Sequence, residues 1–341
     1  MKNLILTIML AGTSLCTRAQ NADSAKFYYN KGLEEKNAGR FLVASKAFDK
    51  AIDFDQSFAP AYLENAYTAQ QMRNINLALR HFEKVYKLQP NNIEAIKELT
   101  EMYYNFRQYD KAIEFADKCK NCSNASRIKG MSYYRKEDYS EAIKNLEYAI
   151  EINPADAEAV YSIGRSYLDM EVYEKAMPYY EKAANMPGAN VNWIYELGLL
   201  SYNVGAYKKA VTYFTKAAEK GYTQSNDFNE NLGYACLSAG EYDRGEALLV
   251  GVWKKKPGNK DLLRDMAEML YQHKQYDRSL MYCQKLMEID NNDAKALYQA
   301  GLCFLKKGPK EKGEKMCDKA IEMDPSLRSL RQKQEMPYGG L

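Results

Sequence analysis

A period of about 34 residues runs through almost the whole chain, and no other feature narrows its fold so far. A small residue recurs in an apolar setting at Gly32, Ala66, Thr100, Gly130, Gly164, Gly198, Gly233, Ala267 and Gly301, in steps of 34 or 35 residues except one of 30. Twelve residues after each stands a second register: Ala44, Ala78, Ala112, Ala142, Ala176, Ala210, Gly245, Ser279 and Gly313. Seven further on stands a third: Ala51, Val85, Cys119, Ala149, Ala183, Ala217, Val252, Leu286 and Ala320. Three registers in phase over nine copies mark a tandem array of supersecondary units. Such a unit cannot bury its apolar face alone, so neighbours must stack into a shared core.

Within one copy the pattern predicts two helices. In the fifth, Ala159 to Asp169 is the first and Tyr173 to Asn185 the second. Small residues fall where the two helices cross and let their axes approach, while Tyr167 and Tyr180 fill the space beside them. An aromatic opens the second helix in seven copies: Phe41, Tyr109, Tyr139, Tyr173, Tyr207, Tyr242 and Tyr276. Turns such as Asn153-Pro154 and Asp324-Pro325 stop it. No Val/Ile-rich alternating run reads as a strand.

The motif Gly164-x-x-Tyr167 … Ala176-x-x-x-Tyr180-x-x-Ala183, and Asp138-Tyr139-Ser140-Glu141-Ala142-Ile143, resemble the tetratricopeptide repeat family. The resemblance implies an all-α, right-handed superhelical solenoid of nine repeats: 25–58, 59–92, 93–122, 123–156, 157–190, 191–225, 226–259, 260–293 and 294–327. Residues 20–24 precede the array, and 328–341 supply a capping helix end and a flexible tail, with Leu327 and Leu330 turned toward the stack. Gly245, Ser279 and Gly313 depart from the family's alanine. The third repeat is short by four residues, about one helical turn, which predicts preserved helix phase and a change of geometry between the first three copies and the last six.

The N-terminus has a short basic start, an apolar run of 12 residues from Leu4 to Leu15, and small residues at Thr17 and Ala19. This is the pattern of a secretory leader over 1–19, cut to leave Gln20 first; it is too short to span a bilayer, which takes about 20 residues. Cys16 raises a lipoprotein alternative, but Leu15 stands where that cleavage wants a small residue. The leader resembles those of Gram-negative bacteria, implying the periplasm or cell envelope. Without Lys2 and Arg18, 46 basic residues face 45 acidic ones. A near-neutral chain lacks the basic footprint of a nucleic-acid binder or of a polybasic membrane-surface segment.

Little points to catalysis or a cofactor. His81 and His273 lie in different repeats, and neither a phosphate loop nor a metalloprotease motif is present. Cys119-Lys120-Asn121-Cys122 falls near a helix C-terminus, where the dipole disfavours a thiolate. Export permits a Cys119–Cys122 disulfide; plain packing is the alternative.

In the family it resembles, the inner faces of the first helices line a concave groove. By register that face carries Tyr29, Tyr67, Tyr104, Tyr134, Tyr161, Tyr195, Tyr202, Tyr234, Tyr271 and Tyr298, with Arg165 and Arg264 among the charged groups between them. Tyrosine and arginine are enriched at binding hot spots, so a protein or peptide partner is expected there. These tyrosines are expected to be exposed, their truncation leaving stability within about 0.5 kcal/mol. The family's carboxylate clamp is not matched, because Glu101 follows Lys97 where an asparagine is needed. Stacked tyrosines also suit sugar faces, so a glycan or peptidoglycan binder, or an accessory subunit of an envelope secretion or assembly machine, stands as the alternative.

Overall fold

The computed structural model describes residues 21–119, 122 and 124–329; the expected leader and the tail from residue 330, Leu330 included, lie outside them. The described residues form helices and no strand. Helix α1 (21–37) already includes residues assigned above to a separate leading segment. The next helices are α2 (Phe41–Phe54), α3 (Ala59–Gln71), α4 (Ile75–Leu88), α5 (Ile93–Asn105) and α6 (Tyr109–Lys118). They are followed by α7 (Ala125–Arg135), α8 (Tyr139–Ile152), α9 (Ala157–Asp169), α10 (Tyr173–Asn185), α11 (Val191–Asn203) and α12 (Tyr207–Glu219). The last are α13 (Asn226–Ala239), α14 (Tyr242–Lys255), α15 (Lys260–Gln272), α16 (Tyr276–Ile289), α17 (Ala294–Lys307) and α18 (Lys310–Met323). Odd helices are the first of a repeat and even ones the second, and all seven aromatic openers stand at the first residue of theirs.

One turn geometry joins the two helices of every repeat. Its fifteenth residue has positive φ throughout: Gly39, Arg73, Arg107, Glu137, Glu171, Gly205, Gly240, Lys274 and Gly308. In the first eight repeats the next N–H donates to the carbonyl five residues back, for example Asn74 to Ala69 at 2.8 Å and Gln275 to Leu270 at 2.8 Å. This closes the helix end as a Schellman motif. Repeat nine has Pro309 in the donor's place, which has no N–H to give, and Gly308 there swings to φ 128°. At the turns between repeats, Asn92, Asp156, Asn190, Ser225, Asn259 and Asp293 cap the following helix by accepting from its first backbone N–H groups.

Glycine at the crossing is a packing requirement. A Cβ added at Gly32, Gly130, Gly198 or Gly233 would fall 2.4, 2.6, 2.7 and 2.7 Å from Phe48, Leu146, Phe214 and Leu249 of the partner helix. The departures in repeats seven to nine are accommodated in the same place. Gly245 faces the carbonyl of Gly233, and Gly313 that of Gly301, so each pair of helices meets glycine against glycine. Ser279 donates to the Ala267 carbonyl at 2.7 Å, satisfying a hydroxyl that is fully buried.

The chain divides into two compact units at Tyr179 and Tyr180, inside α10 and next to its internal Pro178. The short third repeat lies within the first of these units. Helix α6 has 10 residues against 14 in α4, yet it packs on α7, and one apolar cluster runs through Tyr62, Leu99, Phe115 and Ile128. Losing one turn keeps the faces in phase, so the core continues. Cys119, buried, is joined to Cys122 in a disulfide with Cα atoms 5.3 Å apart. In the second unit a cluster extends from Leu237 through Met266 to Ala300. Leu327, in the 3-10 turn Pro325–Leu327, is buried against the last repeat, as a capping residue should be.

Candidate protein-binding face

The expected groove residues occupy three places in the repeat. Tyr29, Tyr161, Tyr195, Arg264 and Tyr298 stand fifth, Tyr67, Arg165 and Tyr234 ninth, and Tyr104, Tyr134, Tyr202 and Tyr271 twelfth. Steps of four and three keep them on one helix face. Tyr161 and Arg165 belong to the first unit, and Tyr195, Tyr202 and Tyr234 to the second.

Far from standing in solvent, nine of the ten tyrosines are half-buried, and Tyr298, 4% exposed, is a core residue. The twelfth-place residues brace the turn: Tyr104, Tyr134, Tyr202 and Tyr271 each pack on the tyrosine opening the next helix, with ring centroids 5.9, 5.9, 5.4 and 5.5 Å apart. The spacing Tyr-x-x-x-x-Tyr was visible in the sequence, and its recurrence is the signal that could have assigned them to packing. Tyr195 stacks on Tyr222 at 4.3 Å and lies against Phe214 and Phe228. Tyr29 is held between Phe48 and Phe58, and Tyr67 packs edge-on against Phe82 under the ammonium of Lys36.

Polar groups on this face bond chiefly from one repeat to the next. Lys36 pairs with Glu64 at 2.6 Å, Gln70 donates to Glu98 at 2.8 Å, and Arg127 reaches Asp156 at 3.0 Å and also Glu158. Tyr134 donates to Asp169 at 2.8 Å, and Arg165 approaches the same carboxylate at 3.5 Å. In the second unit Asn231 donates to the Tyr195 hydroxyl at 2.8 Å and Tyr234 donates to Asp265 at 3.1 Å. Burial first, then nearby carboxylates, push the Tyr67 and Tyr234 phenols well above their ordinary range, so both stay neutral donors. First helices of successive repeats thus lie side by side within each unit, presenting rings interleaved with carboxylates and cations.

A pocket of about 550 Å³ opens on this face between α15, α16 and α17. Ala267, Leu286, Ala296 and Leu302 supply apolar lining, and Arg264, Glu268, Tyr271 and Gln299 supply polar groups. Arg264 is held by Asp261 at 2.8 Å and by the buried Asp293 at 2.7 Å. This cavity is not legible in the sequence, because its walls come from three helices.

His81 packs on Tyr62 and His273 on Tyr242. No cluster of potential metal ligands occurs among the described residues, and among them no helix is long and apolar enough to cross a membrane. Burial pushes the thiols of Cys236 and Cys283 up to about 11 and about 12, so they are inert core groups.

Family models described as tetratricopeptide repeat match residues 25–58, 157–190, 195–259 and 294–327, and one described as TPR repeat matches 130–171. A model of anaphase-promoting complex, cyclosome, subunit 3 matches 71–149. No curated protein matches the chain. Among solved structures, a MamA protein is 28% identical over 49% of this chain and 93% of its own, with a TM-score of 0.45. PilF of Pseudomonas aeruginosa is 18% identical over 62% of this chain and 97% of its own, with a TM-score of 0.46. On its stacked helix pairs and on family matches reaching from residue 25 to residue 327, the chain belongs to the tetratricopeptide repeat family.

Proposed function

We propose that this chain is a non-enzymatic scaffold of the bacterial cell envelope that lays an extended polypeptide across its first-helix faces. Tetratricopeptide repeats in general bind protein partners. The observation that carries the reading is the direct bonding between first helices of successive repeats, Lys36 to Glu64 in one unit and Tyr234 to Asp265 in the other. Within each unit it makes a surface that presents rings and charges from successive repeats. The envelope setting rests on the leader pattern of residues 1–19.

Photo-crosslinking tests this. Benzoylphenylalanine placed at Lys97 or Tyr202, on first helices, should capture polypeptide in the native host, whereas at Tyr148, exposed on the second helix α8, it should not. Equal capture from both positions, or capture of glycan alone, would sink the reading. An intact Met1 or a lipid on Cys16, found by mass spectrometry, would remove the envelope setting as argued.

A further inference from the structure

The third, seventh and tenth places of a repeat lie on the side of its first helix that meets the second helix of the repeat before. In repeats two to five the third place is Ala61, Ala95, Ala125 and Ala159, all buried, and α3, α5, α7 and α9 pack there on α2, α4, α6 and α8. Ala95, Leu99 and Met102 of α5, for instance, share one apolar cluster with Phe82 and Val85 of α4. Repeat one differs. Its three places hold Phe27, 64% exposed, with Lys31 and Glu34, exposed as well. On α2 the nineteenth place is Val43, also exposed; in repeat eight that place is Arg278, which reaches back to Asp243 of the preceding second helix at 2.6 Å. Phe27 and Val43 thus look toward the position that an earlier second helix would fill.

The later repeats show what such a helix must bring. Lys129, at the seventh place of repeat four, pairs with Asp117 of α6 at 2.6 Å. Asn65, at the seventh place of repeat two, donates to Asp49 of α2 and accepts from Ser45, each at 2.8 Å. Asp49 and Asp117 hold the same twenty-fifth place of their repeats. Lys31 is the residue type of Lys129 at the place of Lys129, so its complement is a carboxylate on the covering helix. A large ring at the third place has its precedent in Phe228, buried on Phe214 of the preceding second helix with ring centroids 6.0 Å apart. Glu34, one turn from Lys31, calls for a donor one turn before that carboxylate, where Ser45 stands in α2.

We propose that this face of α1 docks one helix of a partner protein, an amphipathic helix whose apolar stripe covers Phe27 and Val43 and whose carboxylate pairs with Lys31. At 3.6 residues per turn, the fifth, ninth and twelfth places lie on the opposite side of α1, so this is a second surface, independent of the tyrosine-bearing one. A second copy of the chain fits less well, because on its last second helix, α18, Ala320 and Ile321 are already packed with Leu327.

The test titrates the full mature chain with a fluorescent, hydrocarbon-stapled peptide of residues 41–54, a second helix that carries Ser45, Phe48, Asp49 and Ala51 in their native places. Binding should saturate. Phe27→Ser should weaken it roughly tenfold, as loss of an aromatic anchor does, and Lys31→Glu about fivefold. Both variants should melt with wild type, since both side chains are exposed. Pairing Lys31→Glu with an Asp49→Lys peptide should restore most of the lost affinity, which non-specific adhesion would not do. Absence of binding, equal binding by Phe27→Ser, or no rescue by the exchanged charges would each overturn the proposal. Sedimentation showing that the chain dimerises by itself, and that Phe27→Ser abolishes the dimer, would assign the face to a second copy and overturn it too.

Discussion

Tyr195 shows how much a side chain's role depends on what it touches. Its place on a first-helix face marks it as a groove residue, but three rings surround it and its hydroxyl accepts from Asn231. Truncation should therefore cost stability: Tyr195→Ala is expected to lose about 2 kcal/mol, somewhat less than a fully buried aromatic, and Tyr195→Phe less than about 1.5 kcal/mol. Urea denaturation of the two variants checks the order, and equal stability of Tyr195→Ala and wild type would return it to the exposed face. His81 makes a second prediction at this scale. Burial, then Arg80, lowers its pKa from 6.5 to about 4. Between these values the unfolded chain binds the extra proton, so stability is whole above pH 6.5 and declines as pH falls toward 4. In His81→Phe that part of the slope should vanish; a melting-temperature profile unchanged by the substitution would contradict it.

At the scale of the element, the repeat's inner turn is the determinant that recurs most strictly. All nine copies place a residue at positive φ there, but five of them, Arg73, Arg107, Glu137, Glu171 and Lys274, are not glycine. Such a residue pays a steric penalty in the left-handed region that glycine avoids. Replacing Arg107 or Glu137 with glycine should stabilise the protein by about 0.5–1 kcal/mol, and Gly205→Ala should destabilise it by a similar amount. Thermal melts of the three variants give the sign directly. Proline in the donor's place makes repeat nine the exception, and Gly308 there is not expected to follow the same rule.

For the whole molecule, the stack should behave as a chain of repeat and neighbour terms. Gly233→Leu would drive a side chain into Leu249, already 2.7 Å from an added Cβ, at an overpacking cost of about 1–3 kcal/mol or more. Hydrogen exchange should rise first in repeats six to eight. Uniform loosening of both compact units would contradict this quasi-linear behaviour.

The amino-acid sequence by itself determined the helix pairs and the crossing glycines. Each of these depends on residues no more than about 20 positions apart, whose periodicity and steric limits act along one helix or across one turn. The small residue Gly198 at its helix crossing was legible for that reason, whereas Phe214 as its neighbour came from the structure. Only the tertiary structure decided what the first-helix face holds. Tyr234 finds Asp265, Lys36 finds Glu64 and Arg264 finds Asp293 across 28 to 31 residues, contacts that exist only once repeats have stacked. Repetition along the chain is a one-dimensional property and can be counted; burial and a pocket walled by α15, α16 and α17 arise from where separate helices come to lie against one another.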